Sequence, residues 1–192
     1  MKPLEVSIIA TLCYHDLFDY PLNSKEIWRL LIQTPVGTSK KQKLNKNNFI
    51  QSLENLVKQD KISYKKLFYC LKNRENIINI RLHREKASQP KLNLVKKIIT
   101  ICSWLPWLKM VGITGALAMD NARKSDDIDL LIITQKNRLW LTRLIVTMVL
   151  EIIGRRRRPN HKNIKDKICL NLYLDEANWQ LSKAKKNLFT AH

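Results

Sequence analysis

Residues 111–134 constrain this chain more than any other part of it. Val111-Gly112-Ile113-Thr114 reads as an apolar strand that breaks at Gly115, and Asp127-Ile128-Asp129-Leu130-Leu131-Ile132 then opens a second strand with carboxylates at alternate positions. Successive side chains on a strand point to opposite faces. Asp127 and Asp129 therefore project together, while Ile128, Leu130 and Ile132 turn the other way into a core. Two carboxylates on one face can share a hard cation such as Mg²⁺, which prefers oxygen ligands and usually arrives with substrate phosphates. Gly115 lets backbone approach those phosphates with no Cβ in the way.

A Gly-Ser pair followed about a dozen residues later by Asp-hydrophobic-Asp marks the DNA polymerase β-like nucleotidyltransferase superfamily. Gly115-Ala116 and Asp127-Ile128-Asp129 resemble that signature. The resemblance implies an α/β (α+β) chain. A winged-helix-like module would occupy residues 1–86, and a minimal nucleotidyltransferase-fold domain, a small mixed sheet flanked by helices, residues 91–192. It also implies that Asp127 and Asp129 are the catalytic and metal-binding pair, with Mg²⁺ as cofactor. Thr114, Gly115, Ala116 and Asp126 would line a bound NTP, ATP before others.

Two departures bear on activity. Ala116 stands where the pattern usually has a serine hydroxyl, and Thr114, one residue before the glycine, is expected to face away. In complete relatives a third carboxylate sits on the next strand, here residues 168–174, and Asn171 takes that place. A neutral amide can ligate through oxygen but cannot accept a proton. Asp175 shares its parity, yet four residues at ~3.3 Å put it about 13 Å away. Paired metals lie only ~4 Å apart.

The formal charge of +19 attracts polyanions. It is spread evenly, 16 cationic against 8 acidic residues over 1–90 and 19 against 8 over 91–192, so it marks no single binding face. Nucleic acid is a partner this charge permits; it equally fits a lysine-rich composition. Cys13, Cys70, Cys102 and Cys169 lie far apart in apolar runs without zinc-ligand spacing. They read as buried free thiols of a reducing, cytoplasmic compartment, and the amino terminus shows no secretory signal.

Helical spacing is present over residues 5–17, with Val6, Ile9, Leu12 and Cys13 on one stripe. A second helix capped by Asn23 or Ser24 runs to Leu31, and a third covers residues 47–59. A basic loop at residues 39–46 joins the last two. Two β-prone pieces, residues 61–64 and 67–71, can pair around Lys65-Lys66. Three helices and a hairpin follow the order of a winged helix, whose third helix enters a major groove and whose hairpin touches phosphates. Here that helix offers Asn47, Asn48, Gln51, Ser52, Asn55 and Lys58, polar but lightly basic, so DNA binding and a packing role both stay open. Lys65 and Lys66 are the phosphate-contact candidates of this module.

A connecting helix is expected over residues 77–85, a boundary at Ser88-Gln89-Pro90, and a new helix over 91–105. Trp104 and Trp107 are expected to pack between elements. The helix predicted over residues 137–153 carries apolar residues on nearly every face, which requires deep burial or a membrane. Only seven residues, six of them apolar, separate Arg143 from Glu151, against the ~20 that span a bilayer, so no span is expected. Arg155, Arg156, Arg157 and Arg158 complement the helix dipole and are candidate contacts for nucleic acid or acidic lipid.

Two functions therefore stay open. One is Mg²⁺-dependent transfer of a nucleotidyl group from an NTP to an acceptor hydroxyl, weakened or lost through Ala116 and Asn171. The alternative is a DNA-binding winged-helix regulator whose second domain is an inactive nucleotide-binding fold. The sequence selects neither the acceptor nor an oligomeric state.

Overall fold

The computed structural model describes residues 1–32, 45–159 and 163–177. The chain folds as α+β in two compact units, Met1–His83 and Arg84–His192. The basic loop at 39–46 lies mainly outside the described residues.

The first unit contains α1 (Pro3–Asp16), α2 (Ser24–Arg29), α3 (Lys46–Lys58), β1 (Ile62–Lys65) and β2 (Phe68–Leu71). α2 and α3 start where the sequence supplies a side-chain cap. Asn23 Oδ1 accepts from the Glu26 amide at 2.9 Å while Glu26 Oε2 accepts from the Asn23 amide at 2.8 Å, a reciprocal box at the start of α2. Asn45 Oδ1 accepts from the Asn47 amide at the start of α3. Ile8, Leu12, Ile27, Phe49, Leu53 and Leu56 form the shared core. The buried stripe of α1 is Ile8, Thr11, Leu12 and His15, which turns Cys13 to solvent rather than into the core. Thr11 wins an inward place because its hydroxyl is satisfied, donating to the Ser7 carbonyl at 2.7 Å and accepting from the Ile32 amide at 3.0 Å.

β1 and β2 pair antiparallel with Lys65 opposite Phe68, so the turn is Lys66-Leu67, one residue later than expected. Both turn residues have positive φ, 49° and 69°. That is the backbone a two-residue hairpin requires, adopted here without glycine. Leu22 forms a single bridge to Tyr69, its amide and carbonyl each bonded to that residue at 3.0 and 2.7 Å. Ser52, counted as outward-facing from sequence, is buried on α3.

α4 runs unbroken from Asn76 to Cys102, with Pro90 inside it. The expected boundary at Ser88-Gln89-Pro90 is therefore absent. Proline removes one backbone donor and crowds the preceding turn, a penalty of about 3 kcal/mol, and side-chain anchors on both sides hold the helix through it. Before Pro90, Ser88 Oγ accepts from the Ala122 amide at 3.2 Å. After it, the Lys91 ammonium donates to the Asp126 carbonyl at 2.6 Å and to Asp166 Oδ1 at 2.7 Å.

The second unit adds β3 (Leu108–Thr114), α5 (Gly115–Ala118), β4 (Ile128–Thr134), α6 (Leu139–Ile152) and β5 (Ile168–Asp175). Its sheet is mixed, in the order β3-β4-β5, antiparallel then parallel. β4 buries Ile128, Leu130, Ile132 and Thr134 in alternation. Val95, Ile98 and Cys102 of α4 and Val146 and Leu150 of α6 join that face in one core. Trp107 packs against the core, whereas Trp104 is exposed. α6 buries only Thr142, Val146 and Leu150. Its remaining apolar residues are not enclosed, contrary to the deep burial expected from its composition. No helix among the described residues is long and apolar enough to cross a membrane.

Candidate metal and nucleotide site

The site forms where three strand segments meet. Thr114, the last residue of β3, lies directly opposite Asp129 on β4, and Asp129 in turn lies opposite Cys169 on β5. Directly opposed residues project to the same side of a sheet, so Asp127, Asp129 and Cys169 converge. A carboxylate oxygen of each aspartate and the Cys169 sulfur lie within 4.8 Å of one another, a grouping that could hold a metal ion.

The pairing corrects two expectations. Thr114 does not face away: its register places it on the Asp129 side, and its hydroxyl donates to the Asp129 carbonyl at 3.3 Å. Asn171 is not beside the aspartates. The parallel register slips between Leu130↔Leu170 and Leu131↔Leu172, so Asn171 falls in a bulge and is exposed. Cys169 occupies the position expected of Asn171. Asp175 pairs with Thr134, at the far end of β4 from Asp129.

Gly115 closes the site from the β3 side. Its φ is +65°, a conformation available to glycine at little cost. A Cβ placed there would stand 2.8 Å from Asp129 Oδ2. The bend thus lies directly against the carboxylate, and both Gly115 and Ala116 are exposed. Asp126 contributes differently from its neighbours: its carboxylate accepts from the Arg123 amide at 2.7 Å and closes the turn before β4.

One of the four consecutive arginines enters this site. Gly154, φ +65°, follows the end of α6, and the chain then runs beside the start of β5: the Arg157 amide donates to the Ile168 carbonyl at 2.9 Å and the Ile168 amide to the Arg155 carbonyl at 2.7 Å. That alignment delivers Arg157 Nη1 to Asp127 Oδ2 at 2.5 Å, and the same guanidinium reaches Cys169. Arg156 lies 3.6 Å from Glu151, and Arg158 pairs with the same carboxylate. Arg157 and Cys169 are the two residues whose role sequence reasoning missed. Lys65 and Lys66 belong to the hairpin of the first unit, where Lys66 Nζ donates to Asn79 Oδ1 at 3.0 Å.

Burial at the site shows in the protonation of Asp129 and Cys169. Burial holds Asp129 above the ordinary carboxylate range, and the charge of Asp127 adds to the effect, against a lowering hydrogen bond from Cys169. Burial also pushes the Cys169 thiol up, reinforced by Asp129. At neutral pH Cys169 is therefore a thiol donor to Asp129 rather than a thiolate. The folded protein binds the Asp129 proton more tightly than the unfolded chain does. Across the window from the ordinary carboxylate value up to the raised one, the native state then carries more protons, and stability falls as pH rises. Asp129→Asn, neutral and nearly isosteric, is expected to raise the Tm of the metal-free protein at neutral pH. It should also flatten the dependence of Tm on pH above ~4; equal slopes for both proteins would contradict the burial of this charge.

The donor set could hold a metal ion. Two carboxylates supply hard oxygen ligands, and the Gly115 bend lies directly against one of them. Comparison of the chain with protein-family models, with curated proteins and with solved structures found no match.

Proposed function

We propose that the second unit is a nucleotidyltransferase-like domain that binds an NTP, most simply ATP, with Mg²⁺. The observation that carries this reading is the apposition of the Gly115 bend and the Asp129 carboxylate, with Asp127 and Cys169 converging on the same point. Asp127 and Asp129 would hold the cation, which when bound neutralises charge on the departing pyrophosphate. Gly115 and Ala116 admit polyphosphate close to backbone, since neither carries a long side chain. Arg157 is the counter-ion of Asp127 in the metal-free protein and lies where it can turn to a phosphate oxygen.

Cys169 limits the chemistry. A thiol held above its ordinary value does not take the proton of an attacking hydroxyl, so transfer to an acceptor would be slow or lost while binding persists. Incubation of the full chain with α-labelled NTPs, Mg²⁺ and cell extract tests transfer; label appearing on protein, RNA or a small molecule supports it. Absence of both transfer and nucleotide binding overturns the reading. Cys169→Asp would restore a third carboxylate opposite Asp129. It is expected to tighten Mg²⁺ binding by roughly 10-fold or more, equivalent to ~1.4 kcal/mol, whereas unchanged affinity would place residue 169 outside the metal's reach.

A second reading is favoured by the first unit. α1, α2 and α3 precede a hairpin, and Leu22 adds a bridge to its second strand, the order of a winged helix that binds DNA. Duplex binding by the full chain should then weaken with salt, and Lys66→Ala should reduce the slope by about one unit.

A further inference from the structure

α6 presents an apolar face that nothing among the described residues covers. Trp140, Leu144, Met148 and Ile152 recur every four residues and are 76, 58, 54 and 81% exposed, with Leu141 beside them. The opposite stripe, Thr142, Val146 and Leu150, fills the core. A helix of this composition is normally apolar toward one partner; this one is apolar toward two, and its outer face is a contiguous hydrophobic strip.

The charge around that strip identifies what fits it. Between residues 136 and 158 stand seven cations, Lys136, Arg138, Arg143 and Arg155 to Arg158, against the single carboxylate of Glu151. Glu151 is itself paired with Arg156 and Arg158. The Arg143 guanidinium lies 5.6 Å from the Trp140 ring centroid, at the margin of the strip. A second copy of the chain would bring two such cationic faces together, which like charge opposes. Nucleic acid offers phosphates but no sink for four large apolar side chains. An anionic bilayer surface offers both, and an amphipathic helix with tryptophan and leucine on one side and arginine at its margins lies in that interface. At 14 residues α6 is about 21 Å long, enough to lie along a bilayer but not to cross it.

We propose that α6 is a docking surface for anionic lipid. Trp140, Leu144, Met148 and Ile152 enter the headgroup–acyl boundary, and Arg138, Arg143 and Arg155 pair with lipid phosphates. The proposal is independent of any nucleotide chemistry at Asp127 and Asp129.

The test is co-sedimentation of the full chain with vesicles of phosphatidylcholine alone or mixed with phosphatidylglycerol. Binding to the mixed vesicles is expected, at least 10-fold weaker for phosphatidylcholine alone and at least 10-fold weaker for Leu144→Gln/Met148→Gln. Both substituted side chains face solvent, so the fold should survive; circular dichroism checks this. Trp140 gives an independent readout that leaves the strip largely in place: bromolipids should quench emission, and Trp140→Phe should remove most of that quenching. Absence of binding to anionic vesicles overturns the proposal. So does binding that the double substitution leaves unchanged, which would be charge attraction alone. A dimer in solution that the double substitution dissolves would overturn it in favour of a second copy.

Discussion

Replacing Lys91 by methionine is expected to destabilise the second unit by about 3 kcal/mol and to loosen the candidate site. Lys91 is 2% exposed, and its ammonium holds two turns together. It donates to the Asp126 carbonyl just before β4 and to Asp166 just before β5. Those turns precede Asp127 and Cys169, and they touch each other as well: the Asp166 amide donates to the Asp126 carbonyl at 3.3 Å and the Ile128 amide to the Lys167 carbonyl at 2.8 Å. Methionine keeps the apolar stem but leaves the Asp166 carboxylate without its ammonium partner and the Asp126 carbonyl with only the longer bond from the Asp166 amide. Breaking a buried pair costs ~3–5 kcal/mol. The lower end applies because Asp166 is 31% exposed and water can reach it. For a unit of this size the shift corresponds to roughly 10–20 °C in Tm. A thermal scan checks it, and a loss of less than about 2 °C would show that the two turns hold without the lysine. Metal affinity should fall too, by the ~10–100-fold typical of groups that orient ligands without touching the metal.

Asp129→Ala is expected to abolish Mg²⁺-dependent nucleotide binding in calorimetry. Asp129 stands at the centre of the site. It is opposed by Thr114 on one strand and Cys169 on the other, it lies against Gly115, and it shares its face with Asp127. On the proposed reading its removal deletes a ligand and the charge that draws the cation, so the loss should exceed the ~10–100-fold of an orienting group. The same substitution removes a carboxylate whose ionised form burial penalises, so the metal-free protein should not lose stability through that charge. Binding lost with the fold intact assigns the effect to the site. Unchanged ATP affinity would remove Asp129 from it.

The parity of Asp127 and Asp129 was legible in the sequence because it needs only the two-residue repeat of a strand, and the Gly115 bend because glycine at a strand end is a local signal. Cys169 was not. It shares parity with Asn171, and only inter-strand register decides which of them stands opposite Asp129. That register is set through α6, by the edge segment from Arg155 to Arg157, and by the bulge at Asn171, none of which is local. Arg157 was hidden for the same reason: within a run of four arginines nothing marks the one whose backbone lies beside β5. The break expected at Pro90 failed because local propensity lost to the tertiary anchors at Ser88 and Lys91. The apolar pattern of α6 was visible, but sequence could not show that only one side of it meets the core.

In the proposed function Asp127, Asp129 and the Gly115 bend grip a divalent cation carrying polyphosphate. Titration of Mn²⁺ into the full chain with a non-hydrolysable ATP analogue, followed by electron paramagnetic resonance, tests it most directly. The free-ion signal is expected to fall, at stoichiometric protein, below the level that the analogue alone leaves, and to return to that level with Asp129→Ala. A free-ion signal that protein leaves undiminished would contradict it.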